Sequence, residues 1–498
     1  MKENYIFTHV IPFTIAMKPF HTVIFLILIC CCGNAVCQNL TYYQSPEDDA
    51  GKYKEWITAT EKRYQADVSS LSGKNKKYLE QIFKDRFERI KKMYDQKEIL
   101  TEKAANGYLQ SLLHEIVKSN QAIGQLETRV VFSRTWWPNA SSMGEGTIIF
   151  NIGLFYKLQN ESQAAFVLCH ELAHLYLNHS NNAINKYVNT VYSDEFQKEL
   201  KKINKSEFQK TQQLENLTKA MAFDSRRHSR EHETEADSLA VEWLKNTSFD
   251  VRESLSCLNL LDSIDGDKYN VTLSLKNVFN FQEYPFQDKW TKEEKSLFGT
   301  LAESSEAESR KERDSLKTHP DCSIRIGKLK DRVHQYHKQA SRAFVVNEKQ
   351  FRQLQNDFDY EVIDFCYRSD NVSRSLYYTL QMLEAQPFNA YLITNTGRCI
   401  NKLFVGQKNH TLSKLIDMPS PFNDKNYNTL LEFIQRVRLT DLGAFSYYFL
   451  QNRQSNLMAN EDFLAALIES KTNFNKPEEK QQLIETYKKQ FPSGKYRF

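Results

Sequence analysis

No block of basic residues with interleaved aromatics occurs in this 498-residue chain, and Lys plus Arg outnumber Asp plus Glu only by 66 to 62. A net charge of +4 gives no electrostatic footprint for nucleic acid, which is therefore not an expected partner. Cysteines at CxxC spacing are missing too. Four of the nine, Cys30, Cys31, Cys32 and Cys37, cluster near the N-terminus, while Cys169, Cys257, Cys322, Cys366 and Cys399 are scattered. An odd, scattered set makes neither a disulfide framework nor a thiolate zinc site, so each reads as a small buried hydrophobe. The apolar run Val23 to Cys30 falls short of the about 20 residues that cross a membrane. Aromatic side chains are plentiful at 12%, which excludes a mostly disordered chain. A folded chain of this length is expected to hold two domains.

Lys18 precedes that apolar run, the small residues Gly33 and Ala35 follow it, and a polar segment opens at Gln38. This is the layout of a secretory signal peptide over residues 1–37, with Met17 as an alternative start. The expected location is exported, periplasmic or secreted. Membrane association is expected only if this segment stays uncleaved or Cys37, behind the poor lipidation box Asn34-Ala35-Val36, is lipidated.

Further along, apolar residues at helical spacing (Tyr78, Leu79, Ile82, Phe83, Phe87, Ile90, Met93) fill a charged stretch over 50–120. Two β-like runs follow, Thr128 to Ser133 and Thr147 to Asn151. Asn160-Glu161-Ser162 then caps a predicted helix over 162–178. Polar helical residues run over about 190–222, another helix over about 229–245, and a helix begins near Ser323. The spacing predicts a mainly α (α+β) fold. A domain at 38–340 carries a small sheet and a charged insertion at about 263–315, and a helical, repeat-like domain follows at 341–498. The insertion reads as a solvated helix or loop around Glu303 to Asp314. Ser375 to Cys399 is spaced like one helix–turn–helix repeat, although no clean repeat period emerges.

The chemistry concentrates at His170-Glu171-Leu172-Ala173-His174. Histidines four apart in a helix project from one face, as two ligands of one zinc ion require. Glu171 sits where a carboxylate can reach a metal-bound water as general base. The flanks Ala164 to Cys169 and Leu175 to Leu177 are apolar, so these polar groups would be buried at a cost unless an ion satisfies them. A pair of merely satisfied core histidines is the rival reading. A third ligand is sought on another helix, where Glu233-Thr234-Glu235-Ala236-Asp237 places two carboxylates four apart. One would ligate and the other would accept a hydrogen bond from a ligand histidine. Glu231 and Glu235 read as solvated surface. His228 and His232 form a rival pair that lacks a carboxylate directly after its first member.

The ordered series of His170 to His174 followed by Glu233-x-x-Ala236-Asp237 resembles the M48 family of metallopeptidases. Three more segments follow that family's layout: Asn139-Ala140 with Gly146-Thr147-Ile148-Ile149-Phe150, Leu158 to Ala165 with its Asn-Glu pair, and Thr318-His319-Pro320 with Arg325. Together they cover about residues 125–335. The resemblance implies one zinc per chain held by His170, His174 and Glu233, with Asp237 behind a ligand histidine. It also implies a substrate-pairing edge strand at Asn139, Ala140, Thr147, Ile148, Ile149 and Phe150. It makes His319 a further candidate, as oxyanion donor or reversible fourth ligand, against the plainer reading of a loop residue fixed by Pro320. The soluble exported branch with helical repeats fits best.

The expected activity is that of a gluzincin-type metalloendopeptidase acting on protein or peptide substrates outside the cytoplasm, unfolded or misassembled ones above all. The C-terminal helices are a candidate surface for a protein partner. An alternative from another class is a chaperone or adaptor in which the helical domain dominates and peptidase activity is gated or weak.

Overall fold

Helical periodicity dominates the chain, and the computed structural model, which describes residues 42–205, 229–264, 270–292, 322–420 and 423–498, bears this out. The described residues are helices around one four-stranded sheet. In the first half, α1 (Ala50–Ser70) and α2 (Lys76–Asp95) lead to strand β1 (Ile99–Leu100) and α3 (Lys103–Lys118). Then come β2 (Arg129–Ser133), β3 (Ala140–Ser142), β4 (Thr147–Asn151) and the single turn α4 (Ile152–Phe155). Next are α5 (Glu161–Tyr176), α6 (His179–Val191), α7 (Asp194–Lys205) and α8, described over 229–244. Helices α9 (Glu253–Ser263), α10 (Val271–Phe279) and α11 (Cys322–Tyr336) follow. The C-terminal series is α12 (Glu348–Arg368), α13 (Val372–Ala385), α14 (Ala390–Lys408), α15 (Lys425–Arg436), α16 (Leu439–Gln451), α17 (Glu461–Asn473) and α18 (Pro477–Gln490).

The sheet order is β1-β2-β4-β3. β2 and β4 run parallel with Arg129 opposite Thr147, and β3 lies antiparallel to β4 with Ala140 opposite Phe150. Gly146, in the turn before β4, has φ +106, and a Cβ there would stand 2.6 Å from the Glu127 carbonyl. Only glycine suits both demands. β3 is the strand that packs against α5.

α5 is the buried axis of the first half. The Asn160 side chain accepts a hydrogen bond from the Gln163 amide at its N-terminus, and residues 161–173 are all buried. The helix ends sooner than the expected residue 178. Asn178 takes the left-handed conformation (φ 56, ψ 32) and starts α6, a conformation asparagine tolerates better than most side chains.

Two large cores adjoin. One joins the sheet, α3, α5, α8, α9 and α11, and the other joins α10 with α12 to α17. The expected boundary at 340 falls just before α12, which serves both. Phe351, Leu354, Phe358 and Val362 enter the first core and Ile363 the second. The expected insertion is partly structural. Val271, Leu275 and Phe279 of α10, with Trp290, are buried among the C-terminal helices. Residues 1–37, Cys37 and the Glu303 to Asp314 segment lie outside the described residues. No described helix is long and apolar enough to cross a membrane.

Candidate metal centre

Three ligand atoms converge where α5 meets α8. His170 and His174, one turn apart on α5, bring their Nε2 atoms to 3.1 Å from each other. Glu233 reaches in from α8, with Oε2 3.5 Å from His170 Nε2 and Oε1 3.4 Å from His174 Nε2. Among the described residues, His170, His174 and Glu233 form the group able to hold a metal ion, their ligand atoms all within 4.8 Å of one another. α8 is held in place by Ala236, Ala240, Val241 and Leu244, buried in the main core. Its Glu233 and Asp237 share a face because they are four apart.

Behind these atoms lies a buried charge network. Asp237 Oδ1 stands 2.9 Å from His170 Nδ1, an ion-pair contact. Arg325, from α11, forks onto the same carboxylate, with Nε 2.6 Å from Oδ2 and Nη2 2.7 Å from Oδ1. Arg325 Nη1 stands 3.0 Å from Glu233 Oε2, yet that oxygen has no partner in hydrogen-bond geometry. The contact is one of charge alone, and it leaves the oxygen's lone pairs facing the histidines. Burial alone would raise the pKa of Glu233 and of Asp237. The neighbouring His170 and His174 at Glu233, and Arg325 followed by His170 at Asp237, instead hold both carboxyls below the usual range. Burial would likewise lower the His170 value, but Asp237 and Glu233 outweigh it and lift the ring to about 10.

These residues fit a zinc ion. Two imidazole nitrogens and a carboxylate oxygen are zinc's usual donors in a three-ligand site. The Asp237 carboxylate, 2.9 Å from His170 Nδ1, favours the tautomer that carries its proton there and presents Nε2 as a lone pair. Without a cation, a nitrogen pair at 3.1 Å beside a carboxylate can be reconciled only by protons.

The expected ligands and Asp237 thus meet at one point. Glu171, buried at 4% exposure, lies one residue past His170 on the same helix. The expected edge strand needs correction. Thr147, Ile148, Ile149 and Phe150 belong to β4, which has β2 on one side and β3 on the other. An interior strand has no open edge to offer; the edge beside α5 belongs to β3, which begins at Ala140, directly after Asn139. His319, Pro320 and His228 lie outside the described residues. His232, the described half of the rival pair, stacks on the His179 ring with centroids 4.0 Å apart. Glu235, expected as solvated surface, pairs with His179, its Oε2 3.1 Å from Nε2. The His179 ring is held down to about 4, first by burial and then by the neighbouring His232 and His174. Sequence reasoning missed His179. Its only signal was a histidine five residues past His174 with an asparagine before it.

Residues 103–333 match the family model for Peptidase family M48. The chain carries an M48 peptidase domain. M48 peptidases are zinc metallopeptidases, and the matched span contains the whole cluster described above. A search of curated proteins gave no match.

Proposed function

We propose that this chain is an exported zinc endopeptidase, with one zinc held by His170, His174 and Glu233 and with Glu171 as general base. The convergence of those three ligand atoms inside an M48 domain carries the reading. Zinc, when bound, supplies Lewis acidity toward a carbonyl and acidifies a water. Glu171 would take a proton from the attacking water and deliver it to the leaving amine. Asp237 orients His170, Arg325 keeps Asp237 ionised, and the two histidines with Arg325 keep Glu233 ionised.

β3 presents its open edge to an extended peptide, so unfolded or looped segments of exported proteins are the proposed substrates. Backbone pairing reads extended chain, not sequence, which suits clearance of misassembled proteins. His319 is the proposed oxyanion donor, and its exchange for alanine separates the roles: turnover falls with zinc retained for a donor, and basal activity rises for a reversible fourth ligand. The C-terminal helices are proposed as the surface for a protein partner, and residues 1–37 as a cleaved export signal.

Metal analysis beside digestion of a casein-type substrate tests the core of this reading. Wild type and Glu171→Gln should each retain about one zinc per chain, and only wild type should digest, because the amide cannot accept the proton. Wild-type turnover by Glu171→Gln would discard Glu171 as base. A wild-type protein that neither holds zinc nor cleaves would discard the enzyme.

A further inference from the structure

His170 has the Asp237 carboxylate behind it; His174 has another histidine. We infer that His179 is the positioning residue of the second zinc-ligand histidine, anchored in turn by Glu235. This rests on the zinc reading above and adds a supporting pair to it.

The left-handed turn at Asn178 folds the start of α6 back on the end of α5. It leaves His179, 5% exposed, with its Nδ1 2.9 Å from His174 Nδ1. Two ring nitrogens at that distance share one proton, since facing lone pairs repel and two N–H groups collide. Glu235 settles whose proton it is. The His179 Nε2 stands 3.1 Å from Glu235 Oε2, and an ionised carboxylate only accepts, so the His179 proton sits on Nε2. His179 Nδ1 is then the acceptor and His174 Nδ1 the donor. His174 Nε2 is left as a lone pair aimed at His170 Nε2 and Glu233. The ring of His232, 11° from parallel, stacks on His179 and fixes the plane in which it accepts. The two ligand imidazoles are therefore prepared differently: His170 by a buried, ionised Asp237, and His174 by a neutral histidine whose anchor, Glu235, is 60% exposed.

The test measures zinc affinity of the full chain by chelator competition, with the melting of the metal-free protein and the visible spectrum of its cobalt-substituted form. His179→Ala should bind zinc about 10–100-fold more weakly, as loss of such a partner does, and should shift the cobalt spectrum. His179→Gln, whose carbonyl oxygen can accept from His174 Nδ1, should recover most of that loss. Glu235→Ala keeps His179 but frees its tautomer, so it should weaken zinc by a smaller factor. It also serves as the deciding variant if His179→Ala does not fold. A His179→Ala protein with wild-type affinity and spectrum overturns the inference, as does His179→Gln binding no better than His179→Ala. Unchanged affinity in Glu235→Ala, where that variant decides, overturns it too. Wild type and Glu233→Ala run alongside. Tight zinc in wild type and its loss in Glu233→Ala keep the metal centre even if His179 fails, whereas no zinc in wild type overturns both.

Discussion

His170 is buried between two carboxylates, and its ring is lifted to about 10 against about 6.5 for a free histidine. A proton on that ring stabilises the metal-free fold fully below about pH 6.5, and the contribution is lost as pH rises through the raised value. The metal-free protein should therefore melt at progressively lower temperature between about pH 6.5 and about 10. The zinc-loaded protein should not share that decline, because the ligand nitrogen is already deprotonated. Zinc binding near neutrality should release a proton, with affinity rising up to about tenfold per pH unit. Calorimetry in buffers of different ionisation enthalpy counts the proton, and affinity independent of pH would remove His170 from the ligand set. The same network sets the cost of Asp237→Asn. The amide leaves Arg325 with less counter-charge, so Arg325 draws on Glu233, and zinc affinity should fall about 10–100-fold. Glu233→Ala deletes a ligand and should lose the metal outright. Equal zinc contents in the two variants would contradict this ranking.

β3 offers its backbone to substrate in a definite pattern. The Met143 amide bonds to the Thr147 carbonyl, and the Asn151 amide to the Asn139 carbonyl. Alternation along an antiparallel pair then turns Ser141 inward to β4 and leaves the amides of Ala140 and Ser142 facing the open edge. Proline is tolerated at an outward-facing edge position and not at an inward one. Ser142→Pro should keep the fold and the zinc while lowering kcat/KM on a peptide about fivefold, the worth of one backbone hydrogen bond. Ser141→Pro should destabilise the protein itself. Unchanged kcat/KM in Ser142→Pro would remove β3 as the docking edge. Elements of this kind were partly legible in the sequence. Residues His170, His174, Glu233 and Asp237 could be read because helical spacing converts directly into a shared face. β2 and β4 showed as β-like runs, but order within a sheet is a long-range property, so the interior place of β4 did not show. Three-residue β3 is too short for any periodicity. His179 stayed hidden because a single left-handed residue, Asn178, decides where it points.

The two halves of the molecule are coupled through more than contact. Glu161, at the first turn of α5, accepts hydrogen bonds from Tyr108 and from the amides of Val345, Val346 and Asn347. Glu361 of α12, 1% exposed, takes Arg134 from the end of β2 together with Tyr43 and Ser45 from the N-terminal segment. The same helix also brings aromatic rings to the first half: Phe351 lies 5.0 Å from Phe155, and Phe358 lies 4.9 Å from Phe132, ring to ring. The sequence shows a helical pattern over this region, but nothing in it says which core α12 serves. A chain ended at 340 would keep the Tyr108–Glu161 bond and lose the rest at once. Removing a buried Phe costs about 3–5 kcal/mol, and Phe351, Phe358 and Leu354 together approach or exceed the about 5–15 kcal/mol by which a domain is stable. Arg134 would also lose Glu361 and keep only Asp48 as its charged partner. The truncated chain should therefore fail to fold into a zinc-binding state, whereas the full chain should melt both halves in one transition. Circular dichroism and zinc content of a 38–340 fragment decide it. Cooperative melting with zinc retained would show that the peptidase half stands without α12.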